Sequence, residues 1–438
     1  MKRLTGQRQR GTRVCVVLAC ALALAVVAVA GAIATTSRHG LDRSYGKGGV
    51  VEVPSPFADG KDVYTSASGF GAEPDGSAYV IGSALPCEGA KCHWHIYLTR
   101  FRPDGARDSS FGERGAVFLR TKDEYPSVFA DGAGRAIVVE KEKEGLVLRR
   151  FKQGGEVDGS YGKGGVVVLP CPCGEGDPEL LGLPGGRLLI VESRGLSSKK
   201  VSYESRATKV RVLELRSDGA VDRSFGRSGT LAFKVPKPGP MEAITRTADG
   251  GFIAGGATWG SPPRTAWLWR VTATGKVDRG FNRNAADSLR RLGRLGEFPD
   301  LLSIVPRADG TIAAVGTIHE HLGFVLRLRR NGKLDTDFGD RGLTHLPANV
   351  EDAVGGTGGS VFIVGEGKRH YFYSAYRVLG DGRLDPAYRG VRGVRVPLPG
   401  EGVEVQSLGG GRALVAGYGS YECRENCPPE PGMARFLE

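Results

Sequence analysis

Short apolar runs separated by glycine turns recur along most of the chain. One kind of run follows a turn dipeptide such as Asp75-Gly76 or Asp249-Gly250, and examples are AYVIG, FIAGG and VFIVG. A second kind, such as IYLTRF and FVLRLR, usually ends in arginine and leads into another glycine turn. Short apolar runs bounded by Gly and Asp are typical of buried β-strands joined by tight turns. The pattern therefore predicts an all-β protein.

A ten-residue polar phrase punctuates these strands seven times, first as LDRSYGKGGV. Each copy opens with an aspartate, and an aromatic residue follows three positions later. The aspartates are Asp42, Asp108, Asp158, Asp222, Asp278, Asp335 and Asp385. The aromatic residues are Tyr45, Phe111, Tyr161, Phe225, Phe281, Phe338 and Tyr388. Self-similarity at a period of roughly 57 residues indicates one repeat array rather than two or three unrelated domains.

Each repeat has the same internal order of strands. The phrase leads into strand D, as at Gly49–Val53 and Gly165–Leu169, and strand A follows, as at Val63–Ala72 and Glu242–Thr247. Strands B and C are the two kinds of apolar run described above. Four strands repeated seven times predict a seven-bladed β-propeller. Because the chain begins with a D strand and stops at strand C, Met433–Leu437, we expect the N-terminal strand to pair with the last blade and close the ring.

These motifs resemble the delta-60 repeat family of bacterial β-propellers, and their layout is similar to that of NHL propellers. The shared features are apolar-Asp-x-x-(Phe/Tyr)-Gly, Asp-Gly before a strand, and a strand that ends in arginine before a turn. The resemblance runs from Leu41 to the C-terminus and implies a propeller fold and export, but no agreed activity. Repeat five departs from it with FNRNAADSLRRLGRLG, and repeat seven has Arg389 in place of the glycine.

The N-terminus has the pattern of a membrane-insertion signal. Five positive charges precede an uncharged stretch at 14–34, which is long enough to span a bilayer and contains small-residue cleavage patterns. We predict residues 1–34 to be a signal peptide or an uncleaved transmembrane anchor, 35–40 a short linker and 41–438 the propeller. The protein is then extracytoplasmic, either secreted or anchored at the cell surface by residues 14–34.

Outside that segment the cysteines form three close pairs: Cys87 with Cys92, Cys171 with Cys173, and Cys423 with Cys427. An even count in an exported chain predicts disulfides, although a Cys-Pro-Cys ring would be strained. The net charge of +12 includes the N-terminal cluster, and the remainder is spread along the chain. Without a basic stripe carrying stacking aromatics, we predict no nucleic-acid binding.

Strand order assigns the irregular loops to one face. In an up-and-down blade the stereotyped A–B and C–D turns share one face, and the variable B–C and D–A connections share the other. All three cysteine pairs and His93, His95, His319, His321 and His370 map to that second face. The histidines are weak candidates for a metal site, and exposed histidines remain the alternative. The repeated aspartates are interpreted as turn and inter-blade elements, because equivalent positions in a ring lie too far apart to form one active site.

The sequence contains no GxSxG elbow, HExxH helix or phosphate loop. We therefore predict a monomeric, exported, non-enzymatic binding or scaffold propeller without a cofactor. Its partner, a protein or a cell-envelope polymer, would bind the B–C face, and the membrane would be involved only through the N-terminal segment. The alternatives are an extracytoplasmic lyase or hydrolase acting on carbohydrate, and a metal-binding propeller; the fold does not choose among them.

Overall fold

The computed structural model describes residues 40–57, 64–88, 91–121, 123, 125–142, 145–170, 179–183, 185–195, 208–235, 241–258, 265–290, 292, 299–319, 322–366, 373–398, 403–418 and 431–437. Residues 40–438 form one compact unit. The predicted signal or anchor at 1–34 lies outside the described residues. Within the ranges just given, no helix is long and apolar enough to cross a membrane.

Seven antiparallel sheets follow one another along the chain, which confirms the prediction of a seven-bladed all-β propeller. Blade 1 consists of Tyr64–Ala72, Ala78–Leu85, His95–Phe101 and Ala116–Leu119. Blade 2 consists of Ser127–Ala130, Ala136–Glu142, Gly145–Phe151 and Val166–Pro170. Blade 3 consists of Glu179–Leu183, Arg187–Gly195, Thr208–Leu215 and Thr230–Val235. Blades 4 and 5 consist of Ala243–Arg246, Phe252–Ala257 and Ala266–Val271; and Asp300–Pro306, Ile312–His319, Leu322–Leu328 and Leu343–Leu346. Blades 6 and 7 consist of Asn349–Gly355, Val361–Glu366, Tyr373–Val378 and Val394–Arg395; and Val403–Gly409, Arg412–Gly417 and Gly432–Leu437.

In blades 1, 2, 3, 5 and 6 the strands pair in the order A, B, C, D, and in blades 4 and 7 the three strands pair in the order A, B, C. At five of the seven junctions the described A strands of neighbouring blades lie against one another, so strand A is innermost and strand D outermost. A two-stranded hairpin, Cys87–Glu88 and Lys91–Cys92, is inserted between strands B and C of blade 1. Short 3-10 turns occupy Thr357–Gly359, Pro386–Tyr388 and Gly390–Arg392.

The hydrophobic core is divided into seven clusters, and each fills the space between two neighbouring blades. Strand B contributes on both of its faces, and Ala78–Leu85 is buried along almost its whole length. This explains why the strand-B runs are continuously apolar instead of alternating, since a strand covered on both faces has no polar side. The fold is therefore stabilised mainly by contacts between blades.

The N-terminal strands lie against the last blade. Gly40–Leu41 and Val50–Glu52 both pair antiparallel with Gly432–Leu437. Tyr45, Val51 and Val53 are buried in the cluster between blades 7 and 1.

Blade 4 departs from the predicted four strands: it has three, and helix α1, Arg279–Leu289, replaces strand D. The expectation of four strands in every repeat was wrong here. FNRNAADSL lacks the glycines and β-branched residues of the other D strands, and Asp278 caps the helix by accepting from Phe281 N at 2.9 Å. Phe281, Ala285 and Leu289 recur at helical spacing and are buried in the cluster between blades 4 and 5.

The second irregular repeat keeps its turn geometry. Arg389 stands where five of the other six phrases have glycine, and it adopts a left-handed backbone with φ of 61°. Gly112 and Gly162 have φ of 58° and 56° at the equivalent positions. The turn therefore imposes this backbone on an arginine, at a cost of about 1 kcal/mol relative to glycine.

Candidate functional site

The seven phrase aspartates lie on the face of the A–B and C–D turns, and their carboxylates fix the turn that follows. At six of the seven positions one carboxylate oxygen accepts a hydrogen bond from a backbone N–H two or three residues later, at 2.9–3.2 Å. Burial raises the pKa of Asp42, but hydrogen bonds from Ser44 and the charge of Arg435 outweigh it and lower this pKa below its ordinary value.

At six positions Oδ2 of the aspartate faces the arginine at the end of strand C. In five of these pairs the arginine lies eight residues before the aspartate, and in the sixth Arg435 of the last strand faces Asp42 of the first phrase. The ion pairs are Arg435–Asp42, Arg100–Asp108, Arg150–Asp158, Arg270–Asp278, Arg327–Asp335 and Arg377–Asp385, at 2.5–3.8 Å. Arg150 and Arg435 also lie over the phrase aromatics, with their guanidinium carbons 4.5 and 4.6 Å from the ring centroids of Tyr161 and Tyr45.

Four of these arginines also reach the next blade. Arg435 Nη1 donates to Pro103 O at 2.6 Å, and Arg270 Nη1 donates to Arg330 O at 2.8 Å. Arg150 and Arg327 donate in the same way to Ser217 O and Gly380 O. All four carbonyls belong to the C–D turn of the following blade. The phrase glycine adds a parallel bond, as in Gly162 N to Asp218 O at 2.8 Å. We call this arrangement of aspartate, arginine and neighbouring turn the inter-blade joint.

Blade 3 forms its joint with the charges reversed. The residue eight positions before Asp222 is Glu214, which is buried. It pairs with Arg187 of its own blade at 2.8 Å and with Arg246 of blade 4 at 3.4 Å. The junction is thus bridged by an ion pair in which the acid belongs to the earlier blade.

On the turn face, a cavity of about 180 Å³ opens between blades 4 and 5. Arg270, Arg307, Arg330, Asp249 and Asp309 contribute to its lining. Arg270 pairs with Asp249 at 2.5 Å, and Asp309 accepts from the hydroxyl and backbone N–H of Thr311. Several of its charged groups therefore already have protein partners.

The opposite face carries carboxylates at one repeated position of strand A. This position pairs with the fourth residue of each strand-B run and is occupied by Gly69, Ser127, Glu179, Ala243, Ser303, Asp352 and Glu404. Because strand A is innermost, these positions form a ring about the axis. Three of the seven are acidic, and we call Glu179, Asp352 and Glu404 the inner acids.

Burial raises the pKa values of the inner acids. Burial, with a further contribution from the charge of Glu242, raises the pKa of Glu179 to about 8. The pKa of Glu404 is raised to about 7 by burial, even though hydrogen bonds from Tyr418 and Gln406 favour its ionised form. At neutral pH, Glu179 is therefore largely a neutral acid, and Glu404 is close to its titration midpoint.

Asp352 ties three blades together. Its Oδ1 accepts from Ser303 Oγ of blade 5 at 3.2 Å, and its Oδ2 accepts from Val405 N of blade 7 at 2.9 Å. In blade 7, Tyr418 Oη donates to Glu404 Oε2, and Gln406 Nε2 donates to Glu404 Oε1 at 2.9 Å. These carboxylates are positioned by fixed donors, an arrangement that can hold a proton or a polar group in place. The sequence showed them only as isolated acids in strand A, and aligning the repeats on strand B is the signal that would have found them.

On the same face at blade 1, the rings of Phe57, His95 and Phe118 contact one another. We call these three residues, with Trp94, which precedes His95 along the chain, and Tyr125, in the D–A connection that follows blade 1, the aromatic corner. The Phe57 ring centroid is 5.2 Å from that of His95 and 5.3 Å from that of Phe118. Trp94, Phe118 and Tyr125 are 54%, 40% and 62% exposed. They are the exposed large aromatic side chains among the described residues. Trp94 lies in the B–C loop of blade 1, Phe118 in its strand D, and Tyr125 in the D–A connection to blade 2.

The predicted metal and disulfide residues are only partly described. His93 and His95 are exposed, and the described ranges contain no group of three or more His, Cys, Asp or Glu residues arranged to hold a metal ion. His321 and His370 lie outside the described residues, and His319 is described only as part of strand B. The backbones of Cys87 and Cys92 pair directly in the inserted hairpin, whereas Cys171, Cys173, Cys423 and Cys427 lie outside the described residues.

No family model matches the chain, and no curated protein matches it. Among solved structures it is similar to prolyl oligopeptidase B from Galerina marginata, with 10% identity and a TM-score of 0.47 over 85% of this chain and 49% of that one. It is also similar to the calcium-binding protein regucalcin from Agrobacterium tumefaciens, with 13% identity and a TM-score of 0.32 over 91% of this chain and 93% of that one. A third similar structure is the polysaccharide lyase Uly1, with 10% identity and a TM-score of 0.44 over 82% of this chain and 88% of that one. The chain spans about half the length of prolyl oligopeptidase B. Such low similarities give no argument about activity.

The inter-blade joint predicts a large effect of one substitution. Arg150→Met leaves Asp158 buried without its main partner and removes the bond to blade 3, so we expect the free energy of unfolding to fall by about 3 kcal/mol or more. Arg383→Met removes an exposed pair with Asp381, whose side chains are 78% and 49% exposed, and should cost less than about 0.5 kcal/mol. Chemical denaturation measures both. Equal effects would contradict the joint.

The raised pKa of Glu179 predicts a pH dependence of stability. The folded state holds this proton up to about pH 8, whereas the unfolded chain releases it near pH 4.5. The stability that this bound proton gives to the folded state is therefore fully present below about pH 4.5 and is lost as pH rises towards 8. We expect Glu179→Gln to reduce the loss of stability between pH 5 and pH 8 by about 1–3 kcal/mol. The exposed Glu113→Gln should leave the profile unchanged. A Glu179→Gln profile parallel to that of the unsubstituted protein would refute the assignment.

Proposed function

We propose that this chain is an exported, non-enzymatic binding propeller that recognises its partner on the B–C face. The observation that supports this most is the aromatic corner, because exposed aromatic side chains grouped on one face are typical of binding surfaces. On the turn face, by contrast, many of the charged groups are engaged in joints between blades. Export by residues 1–34 and action as a monomer at or outside the cell surface belong to the same proposal.

The enzyme alternative has one specific observation in its favour. Glu404 titrates near neutral pH beside Tyr418 and Asp352, and a carboxyl group with such a pKa can act as a general acid. Carbohydrate cleavage by a lyase or hydrolase would create new reducing ends. Their absence after incubation of the protein with polysaccharides would leave binding as the function.

The experiment that tests the binding face is capture of native cell-envelope material by the full-length protein. We expect Trp94→Ala combined with Tyr125→Ala to lower the amount captured at least about tenfold, since aromatic anchors dominate many interfaces. Arg383→Ala, on the exposed part of the turn face, is the matched control and should capture as much as the unsubstituted protein. Capture lost with Arg383→Ala and retained by the aromatic double variant would assign the partner to the opposite face and reject the proposal.

We also propose that the N-terminal strand closes the ring, supporting a rigid binding face. The Asp42–Arg435 pair and the pairing of Val50–Glu52 with the last strand join residues almost 400 positions apart. Deleting Leu41–Val53 leaves Arg435 buried without its acid and exposes the edge of blade 7. We therefore expect the melting temperature to fall by about 5–10 °C. Deleting 35–39, in the predicted linker, is the control. An unchanged melt after the longer deletion would show that these strands do not close the ring.

A further inference from the structure

The aromatic corner is a packed surface and not a cage. Phe57 lies against both His95 and Phe118, and the His95 and Phe118 centroids are 6.4 Å apart. Because these rings contact one another at edge-to-face and tilted angles, the space between them is filled. A box of separated rings around a cation, the arrangement that binds quaternary ammonium groups, is therefore not formed by this trio.

The segments that carry two of the aromatics are fixed to the propeller. Asp123 accepts from Tyr125 N at 3.1 Å through Oδ1 and from Lys141 N of blade 2 at 2.6 Å through Oδ2. Ser55 Oγ accepts from Phe57 N at 3.2 Å, and Ser55 O accepts from Arg107 at 3.5 Å. The aromatic corner is thus a pre-organised platform, which lowers the entropic cost of ordering these residues on binding.

The chemistry around the rings is polar. His93, His95 and Arg120 are exposed beside or next along the chain from the aromatics, and they provide hydrogen-bond donors and acceptors. The exposed large aliphatic side chains that the structure describes, Val157, Val168 and Val391, belong to other parts of the propeller. An apolar peptide segment would require aliphatic pockets, whereas this surface offers flat rings with a hydrogen-bonding rim.

We propose that the aromatic corner binds a carbohydrate polymer, with the apolar C–H face of a sugar ring stacked on the platform and its hydroxyl groups bonded to the polar rim. This inference rests on the proposed function and names the class of partner on the same face. A sugar ring has one apolar face and a polar edge, which matches a surface of flat rings bordered by imidazole and guanidinium groups. Neutral glycans fit best, because the described residues of the corner include no dense cluster of one charge.

The test measures retention of the full-length protein on insoluble cellulose, chitin, mannan and peptidoglycan. We expect retention on at least one of the four and a three- to tenfold weaker apparent affinity for Trp94→Ala, Phe118→Ala and Tyr125→Ala. Val168→Ala and Val391→Ala remove side chains that are 63% and 65% exposed elsewhere on the propeller and should bind like the unsubstituted protein. Melting curves identify any variant that loses binding by unfolding, and Trp94 and Tyr125 are exposed enough for their removal to leave the fold intact.

Two outcomes would overturn the carbohydrate assignment. One is retention on none of the four polymers, and the other is retention that the three aromatic substitutions do not weaken. If envelope capture still depends on Trp94 and Tyr125 while all four polymers fail, the partner is a protein and the proposed binding face stands. If capture depends on the turn face instead, the proposed function itself fails.

Discussion

The buried ion pair between a phrase aspartate and the arginine at the end of strand C is the interaction on which the propeller depends. At four of the joints the carboxylate pairs with a guanidinium that also bonds to the next blade. A buried pair of this kind adds little net stability compared with an apolar replacement, but an incomplete pair is costly. Its main effect is geometric: the arginine can satisfy its donors only when the neighbouring turn is in place. The joints therefore set the angle between blades, and the seven apolar clusters provide the attraction.

The concentration of joints on one face leaves the other free to vary. Turns that must present a carbonyl to a neighbouring arginine cannot change length without breaking that bond. The B–C and D–A connections have no such obligation, and they contain the inserted hairpin, the aromatic corner and the edge beside the inner acids. Burial raises the pKa values of the inner acids on this face. On the turn face hydrogen bonds and the neighbouring arginines outweigh burial and lower the pKa values of Asp42, Asp108 and Asp158.

The sequence predicted the seven blades and the order of their strands, because these depend on local patterns repeated many times. It did not predict α1, because the irregular sequence of this repeat resembles a strand with some residues changed. The helical spacing of Phe281, Ala285 and Leu289 becomes informative only when their burial is known. The pairing of Arg150 with Asp158 was also missed, although the spacing of eight residues recurs and was visible. The inner acids and the aromatic corner combine residues from different repeats, and only the register between strands brings their positions together.

One departure from the repeat has a consequence for how the chain assembles. Glu214 occupies the site where the other described joints have arginine, and its partner Arg246 comes from the following blade. If blade 3 packed against a blade other than blade 4, Glu214 would lose that cation and blade 3 would offer no guanidinium to the neighbouring turn carbonyl. In a ring of similar blades, packing between two blades that are not neighbours in the chain would bury similar apolar surfaces. The reversed ion pair of Glu214 and Arg246 distinguishes the junction of blades 3 and 4 from the others. The order of the blades is then specified by electrostatics as well as by the covalent chain.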